Sequence, residues 1–166
     1  MQTHMQRHRF STAFGDCALA WDQRGLLGFS LPGSDLPEPA ETLPPSWLTE
    51  LIEAVQRHLA GELQTFADAP YVFSIVTDFE RRVYAAALAI APGVTRSYGE
   101  IATTLGLPAG SARAVAAALG ANPWPLLVPC HRIVGADGGM TGFSGAGGIR
   151  TKTRLLALEG ALLLSE

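Results

Sequence analysis

Leu126–Val134 reads LLVPCHRIV, an apolar run whose centre holds a thiol, an imidazole and a guanidinium at three successive positions. The apolar flanks predict a strand-like segment that holds this centre rigidly inside the fold. A cysteine buried in such a run is usually an inert packing residue. Cys130, however, lies between an Asn-Pro turn at Asn122–Pro125 and a glycine-rich segment at residues 135–148. These neighbours favour a reactive thiol.

Composition indicates a compact globular protein. Of the 166 residues, 48% are hydrophobic and 16% are charged. No apolar run approaches the roughly 20 residues of a membrane span, and Met1–Phe10 lacks the apolar core of a secretory signal. Two cysteines are too few for a disulfide framework, so we expect a reducing, cytoplasmic location. Cys17 falls in a predicted strand and is expected to be a core residue.

The charge is divided unevenly along the chain, although the net charge is only −3. Residues 1–80 carry 4 basic and 11 acidic side chains, a net of −7, whereas residues 81–166 carry 8 basic and 4 acidic ones, a net of +4. Such asymmetry is a weak indication of a nucleic-acid-binding face on the second half.

Residues 1–76 are predicted to form an N-terminal α/β domain, a small antiparallel sheet with one helix. Phe10–Leu31 is predicted to form short strands, and within it Cys17–Trp21 and Leu26–Leu31 flank a turn signal and predict a hairpin. Ser46 is expected to cap a helix that reaches about Ala60, because apolar residues recur at helical spacing after it. Tyr71–Val76 is predicted to be the last strand of this domain.

Residues 77–166 are predicted to form a mostly helical domain, which makes the fold α+β. A helix is expected from a cap at Thr77 or Asp78 to Ala91, and a last helix from Ile149 to about Leu163. Two short helices joined by a tight turn, Ser97–Gly106 and Ser111–Leu119, fit a helix-turn-helix.

The second helix of this motif has an unusual composition, with Arg113 as its only long polar side chain. Two interpretations stay open. The small residues pack into the core, or they let the helix backbone lie against DNA, where long side chains would hold it away from a minor groove. The small residues are Ser111, Ala112, Ala114, Ala116, Ala117 and Ala118.

An ordinary cysteine thiol has a pKa near 8.5 and is only a few per cent thiolate at neutral pH, so a nucleophilic Cys130 needs a base. His131 is adjacent, but neighbouring side chains of a strand face opposite sides. A bent backbone or a bridging water would therefore be needed. A carboxylate on the other ring nitrogen would help such a base, and both Glu100 and Glu159 are candidates.

Val128–Val134 resembles the signature of the O6-alkylguanine-DNA alkyltransferases, also called methylated-DNA–protein-cysteine methyltransferases. Further segments resemble the family in the expected order, which covers residues 77–166 with high specificity, while residues 1–76 match only in general layout. These segments are Ser97–Ala102, Ala112–Val115, Asn122–Pro123, Gly142–Gly145 and Leu155–Glu159.

The resemblance implies a set of catalytic roles. Cys130 would accept the alkyl group from guanine O6 by in-line displacement, and His131 would deprotonate the thiol through a water and be oriented by Glu159. Tyr98 would assist the departing guanine, whose charge must be neutralised. Asn122 would brace the turns around the site. The thioether is stable, so each molecule would act once and would need no cofactor.

The resemblance also implies duplex DNA containing O6-alkylguanine as the partner, with O4-alkylthymine as a second candidate substrate, and a monomeric protein. Arg113 would fill the space left by a flipped nucleotide. Ser111, Ala112, Ala114 and Tyr98 would contact the DNA around it. The guanine pocket would be formed by Pro125, Val128, Ile133, Phe143 and Ser144.

Three departures from the family pattern stand out. Phe143 occupies a position where the family often has Tyr, and Ser144–Gly148 extends the glycine-rich segment. The N-terminal half lacks the Cys/His set that some members use for zinc, so no metal is expected. His4 and His8 share a helical spacing, but a mobile terminus is the expected location for both.

Three other classes of protein share parts of this pattern. A non-catalytic alkyltransferase-like protein that binds alkylated DNA would carry Trp at the position of Cys130. A helix-turn-helix regulator with a sensory thiol would not need Tyr98, Asn122 and Glu159 together. A thiol hydrolase would have no use for the Arg113 helix. The sequence therefore favours the alkyl acceptor.

Overall fold

The computed structural model describes residues 5–39, 43–136, 145 and 147–161. A three-stranded sheet and one helix precede four shorter helices, so the predicted α+β class is confirmed. The elements are β1 (Gln6–Thr12), β2 (Gly15–Asp22), β3 (Gly25–Ser30), α1 (Ser46–Leu59), α2 (Asp78–Leu88), β4 (Arg96–Ser97), α3 (Tyr98–Thr104), α4 (Ala112–Gly120), β5 (Ile133–Val134) and α5 (Gly148–Leu158).

The sheet is an antiparallel meander in the order β1-β2-β3, and α1 packs against β1. The predicted hairpin is β2–β3. The predicted strands begin at Phe10, whereas β1 begins at Gln6. Its first residues were missed because β1 is an edge strand with Phe10 as its only buried side chain among mostly polar residues. His8 was expected in a mobile terminus, but it lies in β1 opposite Leu19. His4 is outside the described residues.

Two local predictions in this half are wrong. Tyr71–Val76 is not a strand: Leu26 forms only an isolated bridge with Tyr71, and Phe73–Ile75 is a 3₁₀ turn. The turn brings the aromatic rings of Tyr71 and Phe73 onto Trp124. Ser46 does not cap α1, because Pro45 holds the N-cap position in an extended conformation and Ser46 is already helical.

The helices of the second half follow the predicted order. Thr77 caps α2 in a capping box with Glu80, each side chain accepting a hydrogen bond from the other residue's backbone N–H. The helix ends at Leu88, three residues before the predicted end, ahead of Pro92-Gly93. α3 and α4 contact each other and α2, forming the predicted helix-turn-helix on a helical support.

The strands β4 and β5 form a two-residue parallel ladder, in which Arg96 pairs with Ile133 and Ser97 with Val134. This ladder ties the start of α3 to the segment that follows Cys130. α5 begins one residue before the predicted start and ends at Leu158, because Gly160 adopts a left-handed conformation with φ 77°. Glu159 is therefore the C-terminal capping residue of α5.

Trp124 joins the two halves of the chain into one core. Its indole is fully buried and makes edge-on contacts with Tyr71 and Tyr84, and its Nε1 donates to the carbonyl oxygen of Leu26 at 3.0 Å. Pro123 accepts a further hydrogen bond from the backbone N–H of Phe29. Within the described part of the chain, no helix has the length and apolarity needed to cross a membrane.

Candidate active site

The cysteine segment is a turn, which contradicts the strand predicted for it. Pro129 has φ −80° and ψ 66°, and the N–H of Cys130 donates to the carbonyl oxygen of Val128 at 2.7 Å, which is the geometry of an inverse γ-turn. A 3₁₀ turn over Cys130–Arg132 follows. The strict alternation of a strand is therefore lost, and all three side chains of this turn are buried. A bent backbone was one of the two arrangements, the other being a bridging water, that the sequence left open for an interaction between Cys130 and His131.

Asn122 holds this turn in place. Its Nδ2 donates to the carbonyl oxygen of Val128 at 2.9 Å, and its Oδ1 accepts from the N–H of Trp124 at 2.9 Å. Between Trp124 and Val128, the fully buried Leu126 has φ 81°, an uncommon backbone conformation for a residue other than glycine. The bracing predicted for Asn122 thus has a direct structural counterpart at the γ-turn.

Glu159 is the carboxylate that meets His131. Its Oε2 accepts from Nε2 of His131 at 2.9 Å, and Arg132 donates to both of its oxygens, from Nε at 2.8 Å and Nη2 at 2.9 Å. Nη1 of Arg132 donates to the carbonyl oxygen of Ile90. Glu100, the other candidate, lies in the capping box of α3 with Ser97, where its charge favours the helix N-terminus.

The contact with Glu159 fixes the tautomer of His131. A carboxylate only accepts hydrogen bonds, so Nε2 carries the hydrogen and Nδ1 keeps its lone pair. Nδ1 is buried and has no hydrogen-bond partner within residues 5–39, 43–136, 145 and 147–161. Burial lowers the pKa of His131 more than the hydrogen bond and charge of Glu159 raise it. The ring is therefore a neutral base at physiological pH.

Glu159 itself is held ionised. Burial raises its pKa, but the hydrogen bonds from Arg132, His131 and His58 lower it by more, so the pKa lies well below the ordinary glutamate value. A buried carboxylate with several donors is a fixed negative charge, which stabilises an imidazolium that forms beside it. The arrangement can take a proton on Nδ1 of His131 and neutralise it at once.

Tyr98 is the first residue of α3 and is buried. Lys152, on α5, lies beside it: its Nζ donates to the carbonyl oxygen of Ile133 at 2.7 Å and lies 3.5 Å from the hydroxyl of Tyr98. Lys152 is fully buried, and burial lowers its pKa to about 8. Lys152 was not among the predicted site residues, although its spacing from Leu155 and Leu156 places it on the inward stripe of α5.

The outward face of α4 combines Arg113 with small residues. Arg113 and Ala114 are exposed, as are Ala117 and Gly120 one turn or more further on. Ser111 and Ala112 are half-buried at the start of the helix. The core contacts come instead from Val115, Ala118 and Leu119. Two alanines of α4, Ala114 and Ala117, therefore face solvent, which favours a close approach to another surface over a purely packed helix.

The predicted guanine pocket is described only in part. Val128 and Ile133 are fully buried and Pro125 is buried beside them, while Phe143 and Ser144 lie outside the described residues. Among the described residues, no group of three or more His, Cys, Asp or Glu side chains is arranged to hold a metal ion. Burial raises the pKa of Cys17 to about 12, as suits the predicted core residue.

Acidification from about pH 7 to about pH 5 should lower the free energy of unfolding. In the unfolded chain an imidazole takes up a proton near pH 6.5, whereas folded His131 has a lower pKa and stays neutral. The unfolded state then binds more protons, so stability rises with pH, with a slope of at most about 1.4 kcal/mol per pH unit from this group. Urea denaturation at several pH values between about 5 and about 7 measures how the free energy of unfolding changes with pH. His131→Gln, which keeps a donor for Glu159, should flatten the slope, and an unchanged slope would contradict the assignment.

The described structure is that of a helix-turn-helix protein built around a buried group of cysteine, histidine and glutamate. Residues 78–161 match the family model of the 6-O-methylguanine DNA methyltransferase DNA-binding domain. The chain belongs to this family, as the sequence resemblance predicted.

Curated relatives and a solved structure support this family membership. The methylated-DNA–protein-cysteine methyltransferase of Mycobacterium bovis is 45% identical over 115 residues, covering 69% of this chain and 67% of the relative. The relative of the same name from Methanothermobacter thermautotrophicus is 32% identical over 148 residues, covering 89% and 81%. A crystal structure of Mycobacterium tuberculosis OGT in complex with DNA superposes with a TM-score of 0.76 at 36% identity, covering 93% and 92%.

Proposed function

We propose that Cys130 is the acceptor of an alkyl group from O6 of guanine in duplex DNA, and that residues 77–166 carry this chemistry. Family membership supports the activity: a DNA-binding methyltransferase that repairs alkylated DNA by direct reversal. The observation that carries the residue assignment is the contact of Glu159 with Nε2 of His131, because it leaves Nδ1 as the proton-accepting nitrogen in the turn that holds Cys130.

The reaction balances without a cofactor. The Cys130 thiol gives its proton to Nδ1 of His131 through a water, and the sulfur attacks the alkyl carbon as the bond from that carbon to guanine O6 breaks. The departing guanine takes up a proton with assistance from the hydroxyl of Tyr98. In sum, S–H becomes S–C on the protein, and O–C becomes N–H on the guanine. Because the thioether is stable, each molecule reacts once.

Duplex recognition is assigned to α4. Its exposed small residues let the helix backbone approach the minor groove, and Arg113 extends from its first turn to occupy the place of the flipped nucleotide. Flipping costs a few kcal/mol and costs least for a damaged base, which contributes to selectivity. Ser111, Ala112, Ala114 and Tyr98 flank this point of entry. Pro125, Val128, Ile133, Phe143 and Ser144 are proposed to line the guanine pocket.

Intact mass spectrometry tests the function. Incubation with a duplex that contains one O6-methylguanine should add one methyl group to the protein, and peptide mapping should place it on Cys130. A matched duplex with unmodified guanine should leave the mass unchanged. A protein whose mass stays unchanged with both duplexes would contradict the proposal.

Replacing Arg113 with alanine should slow repair of duplex substrate by about tenfold, because the flipped state loses the side chain that fills its place. Reaction with free O6-benzylguanine, which needs no flipping, should change little. Single-turnover rates on both substrates measure the difference. Arg57→Ala removes an equally exposed charge from α1 and is the control. Equal losses of Arg113→Ala on both substrates would remove the flipping role.

We also propose a cytoplasmic location, on the ground that two cysteines in 166 residues suit a reducing compartment. Fractionation of cells that express the chain tests this directly.

A further inference from the structure

His58 is a buried polar residue of the N-terminal half that reaches the carboxylate of the active site. It lies in the last turn of α1, with no exposed surface, and its Nε2 is 2.9 Å from Oε2 of Glu159. The two residues are 101 positions apart in sequence. None of the roles proposed above uses His58.

The contact of the other ring nitrogen of His58, Nδ1, shows whether Nε2 donates or accepts in the contact with Glu159. The backbone N–H of Gln64 lies 3.0 Å from Nδ1. A backbone N–H only donates, so Nδ1 accepts and the ring hydrogen is on Nε2. His58 is therefore a donor to Glu159. The ring of Phe66 packs on the imidazole with centroids 5.5 Å apart, which fixes the ring plane.

Three donors converge on a single oxygen of Glu159. Oε2 accepts from Nε2 of His58, Nε2 of His131 and Nη2 of Arg132, each at 2.9 Å. A carboxylate oxygen offers about two lone-pair directions, so three donors leave it little freedom to turn. The same oxygen, Oε2, accepts the hydrogen bond from Nε2 of His131. Whatever fixes Oε2 therefore also fixes the tautomer and orientation of the base.

We propose that His58 is a positioning residue for alkyl transfer, which acts from residues 1–76 by holding Oε2 of Glu159 against His131. This inference rests on the proposed function and gives the N-terminal part of the chain a role in the chemistry. His58 touches neither Cys130 nor the alkyl group in this role. Its effect passes through Glu159 to Nδ1 of His131, the atom that takes the thiol proton.

Two substitutions separate the two hydrogen bonds of His58. In His58→Gln, the amide nitrogen occupies the place of Nε2 and keeps a donor for Glu159, but the acceptor for Gln64 is lost. In His58→Asn, the side-chain oxygen occupies the place of Nδ1 and keeps the acceptor for Gln64, but the donor to Glu159 is lost. The measurements are the single-turnover rate of methyl transfer from an O6-methylguanine duplex, per folded molecule, and the affinity for DNA.

We expect His58→Asn to lower the transfer rate by about tenfold, which corresponds to about 1.4 kcal/mol on the barrier. His58→Gln should stay within about threefold of the unmodified chain, and both variants should keep their DNA affinity. Tyr71→Phe is the control, because it removes a nearby hydrogen bond to the carbonyl oxygen of Phe66 without touching Glu159. It should lower stability and leave the rate per folded molecule unchanged.

Each other outcome overturns the inference. If both His58 variants react at the rate of the unmodified chain, His58 only packs. If His58→Gln is the slower of the two, the bond to Gln64 matters and the bond to Glu159 does not. Should His58→Asn fail to fold, the rate of His58→Gln still decides, since a tenfold loss in a variant that keeps the donor contradicts the role. Failure of the unmodified chain to take up methyl instead contradicts the proposed function.

Discussion

Replacing Cys130 with alanine will abolish methyl uptake from an O6-methylguanine duplex, because no other thiol of the described structure lies beside a base. Affinity for the duplex should stay within about threefold, since phosphate and groove contacts dominate DNA binding. Intact mass and a binding titration on the same preparation measure both quantities. The variant should therefore behave as a binder of alkylated DNA that has lost its acceptor.

Cys17→Ala is the matched control for this experiment. Cys17 is as buried as Cys130, but burial raises its pKa to about 12, so its thiol is not a nucleophile at neutral pH. The Cys17 variant should take up one methyl group as the unmodified chain does. A methyl group on Cys17, or on any residue of the Cys130 variant, would show that the acceptor is assigned incorrectly.

Replacing Glu159 with glutamine will lower both stability and reactivity. The amide removes the charge opposite Arg132, a residue that is only 4% exposed, and an unpaired buried charge costs about 3–5 kcal/mol of unfolding free energy. The amide also places N–H groups of glutamine toward Nε2 of His58 and Nε2 of His131, which are hydrogen-bond donors too, so these hydrogen bonds cannot form. We expect the transfer rate per folded molecule to fall at least about 100-fold, as when general-base assistance is removed.

Urea denaturation and single-turnover kinetics measure the two effects separately. Glu100→Gln is the control for charge removal, because it changes only the capping box of α3, where glutamine is also a suitable partner. The control should cost less than about 1 kcal/mol of stability and leave the transfer rate unchanged. If the Glu159 variant reacts at the normal rate, then His131 does not depend on this carboxylate.

Much of the helical architecture is predictable from the sequence, because caps and apolar stripes are local signals. Thr77 lies three residues before Glu80 and predicts the start of α2, and glycine at position 106 marks the turn of the helix-turn-helix. The start of the edge strand β1, before Phe10, was missed for the opposite reason. β1 pairs with a neighbouring strand on one side only. A single buried residue, Phe10, is enough for such a strand, so its sequence shows no apolar alternation.

The site is less predictable, because its shape is set by contacts between distant residues. Apolar flanks favoured a strand at Cys130, but the side chain of Asn122 and the left-handed Leu126 set a turn there. The choice between Glu100 and Glu159 also needed the tertiary fold. His58 carried one usable signal: a histidine on the inward stripe of α1, between Val55 and Leu59, calls for a buried hydrogen-bond partner.

The complete burial of Cys130 has a consequence for the protein after it has reacted. The side chain has no exposed surface in the described structure, so a methyl group on the sulfur adds a carbon atom inside the protein. Inserting one carbon into a well-packed interior costs about 1–3 kcal/mol. Because each molecule reacts once, methyl transfer and stability are coupled: we expect the methylated protein to have a lower free energy of unfolding than the unreacted one.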